Sequence, residues 1–413
     1  MPARRILWEK RGPVLLSAAL ILILSISFPV SAQEGNTHQA LRIGATGMQI
    51  GSFRSSYTQT GFHSCTVEWD FVTRGADGSF ASAYNHPIFG IGLSYNSLDE
   101  VRFVGENGHY DPMLALYGSM ARDLVRRGPF AFGYDLALGL SYSSGYYDPV
   151  TNGANWFFSS PVLFYAAGGG HLTWQLGKRL DLQADITVRH NSSARFAYPN
   201  GGLNYWGGGL SARYHFQDRP RYARSGLTGP RITADRYERG WSYEVYAGGG
   251  VHACAAEWQA CSETMDAQTL AATKLRRWPM ASLSFDALYR LSGRFALGAT
   301  VNGFYASNSE RLKWADGILY GEDAVSQSKG YAPLSCGIGA VQEIFYGDLA
   351  FYFQEGFYLY KRAGIHADHG RLYERAGLRY YPHRLSPFFI SACIKAHNFK
   401  ADYLDFTLGL RFR

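Results

Sequence analysis

The chain contains many short runs in which apolar and polar residues alternate, and the clearest is LDLQADITVRH at residues 180–190. Successive side chains of a strand point to opposite sides, so one face of this run is apolar and the other is polar. The final run, residues 404–413, alternates in the same way and places Phe412 one residue before the end of the chain. Alternation over about ten residues is typical of the strands of a membrane β-barrel, whose apolar face contacts lipid.

About sixteen such runs follow one another along the chain, as expected for a large β-barrel or for two small ones. Eight have centres near residues 45, 67, 91, 118, 136, 167, 185 and 210, and eight more have centres near residues 246, 283, 299, 338, 351, 376, 391 and 407. The polar stretch from Gln217 to Gly240 separates the two sets and is predicted to be a linker.

The two halves also resemble each other, because HYDPMLALYG at residues 109–118 is similar to GYAPLSCGIG at residues 330–339. The predicted fold class is therefore all-β: a transmembrane antiparallel β-barrel of about sixteen strands in two similar halves. One large barrel and two eight-stranded barrels both satisfy the pattern. The predicted barrel halves are residues 33–217 and 241–413, joined by a linker at residues 218–240.

The amino-acid composition agrees with a membrane barrel rather than with a soluble core. The chain has 29 Tyr, 26 Phe, 9 Trp and 47 Gly, yet its mean hydropathy is slightly negative, −0.18. Aromatic residues form the girdles of membrane barrels at both interfaces, and glycine eases the curvature of their strands. This combination favours a barrel with a lipid-facing exterior and a polar lumen.

The first residues are predicted to form a cleaved signal peptide over residues 1–32. Four basic residues precede an apolar run from Val14 to about Phe28, which closes on small residues at Ser31 and Ala32. No other stretch approaches the roughly 18 uninterrupted apolar residues of a membrane-spanning helix. Export together with a barrel pattern predicts the outer membrane of a Gram-negative cell.

Net charge and cysteine content narrow the classes of partner. The formal charge of +7 falls to about +4 without the predicted signal peptide, which does not indicate a nucleic-acid partner. A mild basic excess suits an anionic surface such as a phosphorylated glycolipid, or simply a solvated basic face. Of five cysteines, Cys254 and Cys261 lie in a polar stretch and are candidates for a loop disulfide, with a metal pair as the less favoured alternative.

Three polar residues converge on the predicted lipid face near residue 190. If the first strand starts in the periplasm, the seventh ends at the outer surface, and His190 and Ser192 have the parity of Val188. Asn204 has the parity of Leu210 on the lipid face of the next strand. A serine, a histidine and a polar third group form the general arrangement of nucleophile, base and orienting residue. An interfacial histidine beside ordinary polar loop residues is the competing interpretation.

The segment HNSSARFAYPNGGLN, residues 190–204, resembles the motif of the lipid A 3-O-deacylase family, the PagL-like acyloxyacyl hydrolases. That motif is a histidine, any residue, a serine, and then a Pro/Asn/Gly turn carrying a third polar residue. The resemblance implies that His190 is the general base and Ser192 the nucleophile, without a metal or cofactor. It further implies an esterase that releases an ester-linked 3-hydroxyacyl chain from lipid A of lipopolysaccharide in the outer leaflet.

The resemblance extends to the C-terminal IKAHNFKADYLDFTLGLRF, which is similar to the end of longer, Bacteroidetes-type members of the family. His397 in this segment is not predicted to be a second active site, because its parity points to the lumen and no serine lies near it. A polar lumen network with Asp405 and Arg411 is expected instead. The sequence does not predict an oligomeric state.

Two positions depart from the family pattern. The third member of the site is usually Glu, and the matching residue here is Asn204, which accepts a hydrogen bond from the imidazole but carries no negative charge. Ser193 stands where the family has an Asn of the oxyanion hole, and it offers a hydroxyl donor instead. A slower enzyme is therefore expected. The alternative is a non-enzymatic outer-membrane barrel, a porin or structural protein with a degenerate deacylase site.

Overall fold

The structure is a computed structural model that describes residues 36–51, 54–74, 79–219, 239–273, 275–366, 371–382 and 386–413. The predicted signal peptide at residues 1–32 and most of the predicted linker at residues 218–240 lie outside the described residues. The chain divides into two compact units. The first consists of Met1–Ser193 and Gly201–Thr233, and the second of Ala194–Asn200 and Ala234–Arg413.

The first unit contains a closed antiparallel barrel of eight strands. Each strand pairs with its neighbours in the chain, and β1 closes the ring by pairing with β10, for example through Ile43 opposite Ala212. A separate two-stranded sheet, β2 (Tyr57–Gln59) with β5 (Arg102–Phe103), lies in the loops. The barrel strands are β1 (Asn36–Ile50), β3 (Gly61–Arg74), β4 (Ile88–Asn96), β6 (Met113–Arg127), β7 (Phe130–Tyr142), β8 (Val162–Gln175), β9 (Leu180–Ser192) and β10 (Leu203–His215).

The second unit contains a second closed antiparallel barrel of eight strands in chain order, completed by pairing of the first strand with the last. Its strands are β11 (Gly240–Ala253), β12 (Arg277–Arg290), β13 (Phe295–Ala306), β14 (Leu334–Tyr346), β15 (Leu349–Tyr360), β16 (Leu372–Tyr380), β17 (Phe388–His397) and β18 (Lys400–Phe412). The prediction of an all-β fold of sixteen barrel strands in two halves is thus confirmed. Of the two arrangements left open, the chain adopts two eight-stranded barrels.

The helices are short and lie in the connections between strands. They are α1 (Phe80–Ala83), α2 (Ala255–Thr264), α3 (Ala267–Ala272), α4 (Ser309–Tyr320) and α5 (Glu322–Ser326), with 3-10 helices at Arg54–Ser56, Leu98–Glu100 and Gly364–His366. Among the described residues, no helix is both long and apolar enough to span a membrane.

Each barrel is apolar outside and polar inside, as the period-two pattern predicts. Outward side chains such as Ile186 and Leu210 are 68% and 71% exposed. In the first lumen Arg213 Nε lies 2.5 Å from Asp70 Oδ2. In the second lumen the buried Arg379 forms ion pairs with three carboxylates, at 2.5, 2.9 and 3.0 Å: Glu244, Asp286 and Glu343. Eight-stranded barrels have interiors that side chains fill, so neither lumen is a wide aqueous channel.

Three long connections of the first barrel lie at the same end. Segments 97–112, 143–161 and 193–202 connect strands at the end where β9 finishes, whereas the tight turns 128–129 and 176–179 and the connection that carries α1 lie at the other. Membrane barrels place long loops outside the cell and short turns in the periplasm. This asymmetry places the end of β9 at the outer rim.

The disulfide expected between Cys254 and Cys261 is wrong, since both are free cysteines. Cys254 is the N-cap of α2, and Cys261 lies on the same helix. Seven residues of helix rise about 10 Å, whereas the Cα atoms of a disulfide lie within roughly 7 Å of each other. The polar stretch expected to be a loop is helical, and this separates the two thiols. Burial raises the pKa of the Cys254 thiol, so it is a packing residue rather than a reactive one.

Candidate active site

The predicted site residues lie where β9 ends and β10 begins. Alternate residues of β9, from Asp181 to Asn191, point into the lumen and are buried or half-buried. The residues between them face outward. His190 continues the outward series and is half-buried. β9 extends through Ser192, which therefore has the same parity as His190, as the sequence predicts. Asn204 belongs to the outward series of β10 together with Trp206 and Leu210.

His190 and Asn204 are direct cross-strand partners in the β9–β10 pairing. The Nδ1 of His190 donates a hydrogen bond to Oδ1 of Asn204, at 2.6 Å. With the proton on Nδ1, the lone pair of the imidazole lies on Nε2, which is the nitrogen that a general base uses. The structure thus brings together the base and orienting residue that the sequence proposes. Because His190 and Asn204 lie directly opposite each other on paired strands, the wall of the barrel holds this geometry, not a loop.

The two serines are more enclosed than the sequence suggests. Ser192 lies opposite Phe164 of β8 and is buried, and Ser193 is buried as well. The chain turns sharply after them, because Ala194 and Arg195 have φ angles of +47° and +61°. Such left-handed conformations are uncommon outside glycine, so consecutive ones here mark a constrained turn directly beside the candidate nucleophile.

Gly202 contacts the histidine from the other arm of the same loop. Its φ is +72°, and a Cβ at this position would lie 3.0 Å from Cε1 of His190. Its N–H donates to the carbonyl of Phe157 at 2.9 Å, and the N–H of Gly201 donates to the carbonyl of Trp156 at 3.1 Å. Two backbone hydrogen bonds therefore fix this arm against the 143–161 loop, and the positive φ together with the nearby imidazole favours glycine at this position. Sequence reasoning assigned these glycines to an ordinary turn and did not find this contact.

The lumen side of the wall supports the same strands. Oγ of Ser141 donates to Oδ1 of Asn191 at 2.6 Å, and Nδ2 of Asn191 donates to the hydroxyl of Tyr205 at 2.8 Å. Asn191 immediately follows His190, and Tyr205 immediately follows Asn204. This buried network links β7, β9 and β10 directly behind the candidate site, and it restrains both strands.

An aromatic cluster fills the outer end of the first barrel beneath the loops. It includes buried residues from the strands and the long connections, among them Phe62, Phe103, Tyr110, Phe157 and Tyr205. The hydroxyls of Tyr57 and Tyr110 lie 2.6 Å apart, and burial raises the pKa of Tyr110 well above its usual value. Close packing of this kind resists small displacements, so the aromatic cluster restrains the loops beside His190.

The second barrel places His397 differently from the expected network. His397 faces the hydroxyl of Tyr358, with 2.9 Å between that oxygen and Nε2, rather than Asp405 or Arg411. Asp405 accepts from Arg375 at 2.8 Å, and Arg411 forms an ion pair with Glu343 at 2.7 Å. The expected partners of His397 were wrong because they lie elsewhere along the strand pair: Asp405 pairs with Cys393, four residues before His397, and Arg411 lies at the far end of β18.

Comparison with known proteins gives one family match. Residues 241–413 match the family described as acyloxyacyl hydrolase, C-terminal domain. No curated protein matches the chain. Among solved structures, the outer membrane enzyme PagL is 12% identical with a TM-score of 0.28, and the match covers 41% of this chain and 97% of that chain. Neisserial surface protein A is 9% identical with a TM-score of 0.29, with coverages of 43% and 97%.

Proposed function

Because residues 241–413 match the family described as acyloxyacyl hydrolase, C-terminal domain, we propose that the chain is an outer-membrane esterase that removes an ester-linked 3-hydroxyacyl chain from lipid A of lipopolysaccharide. The observation that carries this proposal is the 2.6 Å hydrogen bond from His190 to Asn204 on the outward wall of the first barrel, with Ser192 at the same parity. The His190 motif lies outside the residues that match the family, so its role rests on this geometry.

The membrane location is supported by the surface of the barrels. Large apolar side chains point outward from both barrels, including Leu283 and Leu408 in the second, at 61% and 58% exposed. Outward apolar residues on closed barrels suit hydrocarbon, which requires that every backbone group be paired within the protein. With the long loops outside, the site lies at the level of the outer-leaflet headgroups, where the ester bonds of a glycolipid lie.

The proposed reaction has two steps. In the first, Oγ of Ser192 attacks the ester carbonyl while Nε2 of His190 takes its proton, and the hydroxyl of Ser193 donates to the oxyanion. His190 then gives its proton to the departing sugar alkoxide, which leaves an acyl group on Ser192. In the second step His190 takes a proton from water, the hydroxide attacks the acyl carbonyl, and the 3-hydroxy acid departs as Ser192 regains its proton.

Asn204 positions His190 in this reaction but supplies no charge. Its Oδ1 fixes the proton on Nδ1 and so keeps the lone pair of Nε2 available for Ser192. A carboxylate in the same place would also stabilise the imidazolium that forms in each step. A rate below that of an enzyme with a carboxylate at this position is therefore expected.

The proposal is tested by incubating the purified full-length protein with lipopolysaccharide and recording mass spectra of the lipid A. We expect loss of the mass of one 3-hydroxyacyl chain with the native protein and with Ser55→Ala, a serine exposed at the same end of the barrel. Ser192→Ala and His190→Ala should abolish the loss. His63→Ala, at an exposed histidine at the same rim, is the matched control for His190.

Two results would overturn the proposal. One is an unchanged lipid A spectrum with the native protein in every detergent and at every pH, which would favour a non-enzymatic barrel with a degenerate site. The other is full activity of Ser192→Ala. If Ser193→Ala were inactive while Ser192→Ala remained active, the assignment of the nucleophile would be displaced by one residue.

A further inference from the structure

A group of basic side chains surrounds one carboxylate at the end of the second barrel that carries the long connections 254–276 and 307–333. Asp402 Oδ2 accepts a hydrogen bond from Nζ of Lys395 at 2.7 Å, and Oδ1 lies 3.2 Å from Nδ1 of His252. Nη1 of Arg195, which belongs to the second unit, lies 3.4 Å from Oδ1, and Nδ1 of His397 lies 3.7 Å from Oδ2. Asp402 therefore supplies one negative charge beside two cationic side chains, Lys395 and Arg195, and two imidazoles.

A fifth basic group borders this set. The ammonium of Lys361 lies 4.9 Å from the ring centroid of Tyr358, and that of Lys395 lies 5.7 Å from the same centroid. The His397 ring also stacks on Tyr358, with centroids 5.7 Å apart. Burial, followed by the charge of Lys395, lowers the pKa of Lys361 to about 8. Two ammonium groups and one imidazole thus lie close to the ring of Tyr358.

Two buried nitrogen atoms in this group lack a partner in the described part of the chain: Nε2 of His252 and Nε of Arg195. His252 is 6% exposed, and the N–H of Ala253 donates to the carbonyl of Arg195 at 2.7 Å, which fixes Arg195 beside it. Buried polar atoms normally have partners, and a buried excess of positive charge is costly unless an anion compensates it. An oxyanion with several acceptor oxygens would compensate the charge and accept from Nε of Arg195. It would accept from Nε2 of His252 when that ring is an imidazolium, since Nδ1 already donates to Asp402.

We propose that Arg195, His252, Lys361, Lys395 and His397 form a binding site for a phosphate group at the outer end of the second barrel. Lys395 and Asp402 lie beneath, while His397 and Arg195 keep 22% and 24% of their side-chain surface exposed and form the entrance. Phosphate offers multiple acceptor oxygens and up to two negative charges to such a set. The long loops put this site at headgroup level.

The phosphate can belong to an outer-leaflet glycolipid or be free in solution. The glycolipid assignment rests on the proposed function, because that function puts the chain in contact with an anionic glycolipid of the outer leaflet. The phosphate assignment itself rests only on the charges and the unpartnered nitrogens described above.

The test measures binding without turnover, using full-length Ser192→Ala protein in detergent. The probes are bisphosphorylated lipid A, the same lipid with both phosphates removed, and inorganic phosphate as competitor. We expect tighter binding of the phosphorylated lipid. Lys361→Gln and His252→Gln should each weaken that binding by about tenfold, as for loss of one charge-assisted hydrogen bond, and leave the dephosphorylated lipid unaffected. Lys313→Gln, at an exposed lysine of α4, is the matched control and should bind like the parent.

Displacement of the lipid by millimolar inorganic phosphate would support a site that also takes the free ion, and resistance to it would support a site for the lipid-linked group. Equal binding of phosphorylated and dephosphorylated lipid would overturn the proposal. So would unchanged affinity in Lys361→Gln, whose position at the end of a strand makes it the variant least disruptive to folding. None of these outcomes depends on ester hydrolysis, so the site can fail while the deacylase proposal stands, and the reverse.

Discussion

Replacing Asn204 by Asp tests the role of the residue that orients His190. The two side chains have the same length, so an Asp carboxylate oxygen would occupy the position of Oδ1, 2.6 Å from Nδ1 of His190. Two unit charges at about 4 Å attract by about 1 kcal/mol in water and about 4 kcal/mol at an effective dielectric constant of 20. Because His190 and Asn204 are both half-buried, the electrostatic stabilisation lies near the lower of these two values. About 1.4 kcal/mol of extra stabilisation of the imidazolium in the transition state raises the rate about tenfold.

The assay is the initial rate of 3-hydroxyacyl release from lipopolysaccharide, followed by mass spectrometry. We expect Asn204→Asp to be about tenfold faster than the native protein, and Asn204→Ala, which lacks the acceptor, to be slower than the native protein. Folding of each variant is checked by its heat-dependent migration in gels. An Asn204→Asp protein that folds and is no faster than the native one would refute the assignment of Asn204 as the orienting residue.

Two substitutions and one conductance measurement test other parts of the structure. Gly202→Ala should lower activity, because it places a Cβ close to His190 and because a left-handed conformation costs a non-glycine residue about 1–2 kcal/mol. The control is Gly105→Ala, at φ +84° with no described atom within 4 Å of the added Cβ, and this variant should stay active. Arg379→Ala should lower the temperature at which the second barrel unfolds in the gel assay, because breaking a buried ion pair costs about 3–5 kcal/mol, and an unchanged temperature would contradict this. In planar bilayers the protein should produce no porin-sized conductance steps, and their appearance would contradict two filled lumens.

The strands were predictable from the sequence because a barrel wall imposes one rule on every residue. Outward positions contact lipid and inward positions contact the lumen, so the period of two persists through both barrels, and all sixteen predicted centres fall inside observed strands. The choice between one barrel and two was not predictable. It depends on which distant strands pair, such as β1 with β10, and local alternation carries no information about that pairing.

Only the residues of the candidate site that lie on strands were predictable, because strand parity fixes the direction in which they point. His190 and Asn204 were placed together because each continues an outward series, and the cross-strand register makes them partners. The contact of Gly202 with the imidazole and the burial of Ser192 depend on loop conformation, which has no simple period. The basic group around Asp402 was missed for a similar reason, since it assembles residues from several strand ends and a loop.

The central claim, that Ser192 is the nucleophile activated by His190, is tested most directly by covalent trapping. The purified full-length protein is treated with a fluorophosphonate that reacts with activated serines, and the modified peptide is identified by mass spectrometry. We expect one adduct, on Ser192, which is absent in His190→Ala and retained in His63→Ala. An adduct on Ser193 or another residue, or labelling of Ser192 that persists in His190→Ala, would contradict it.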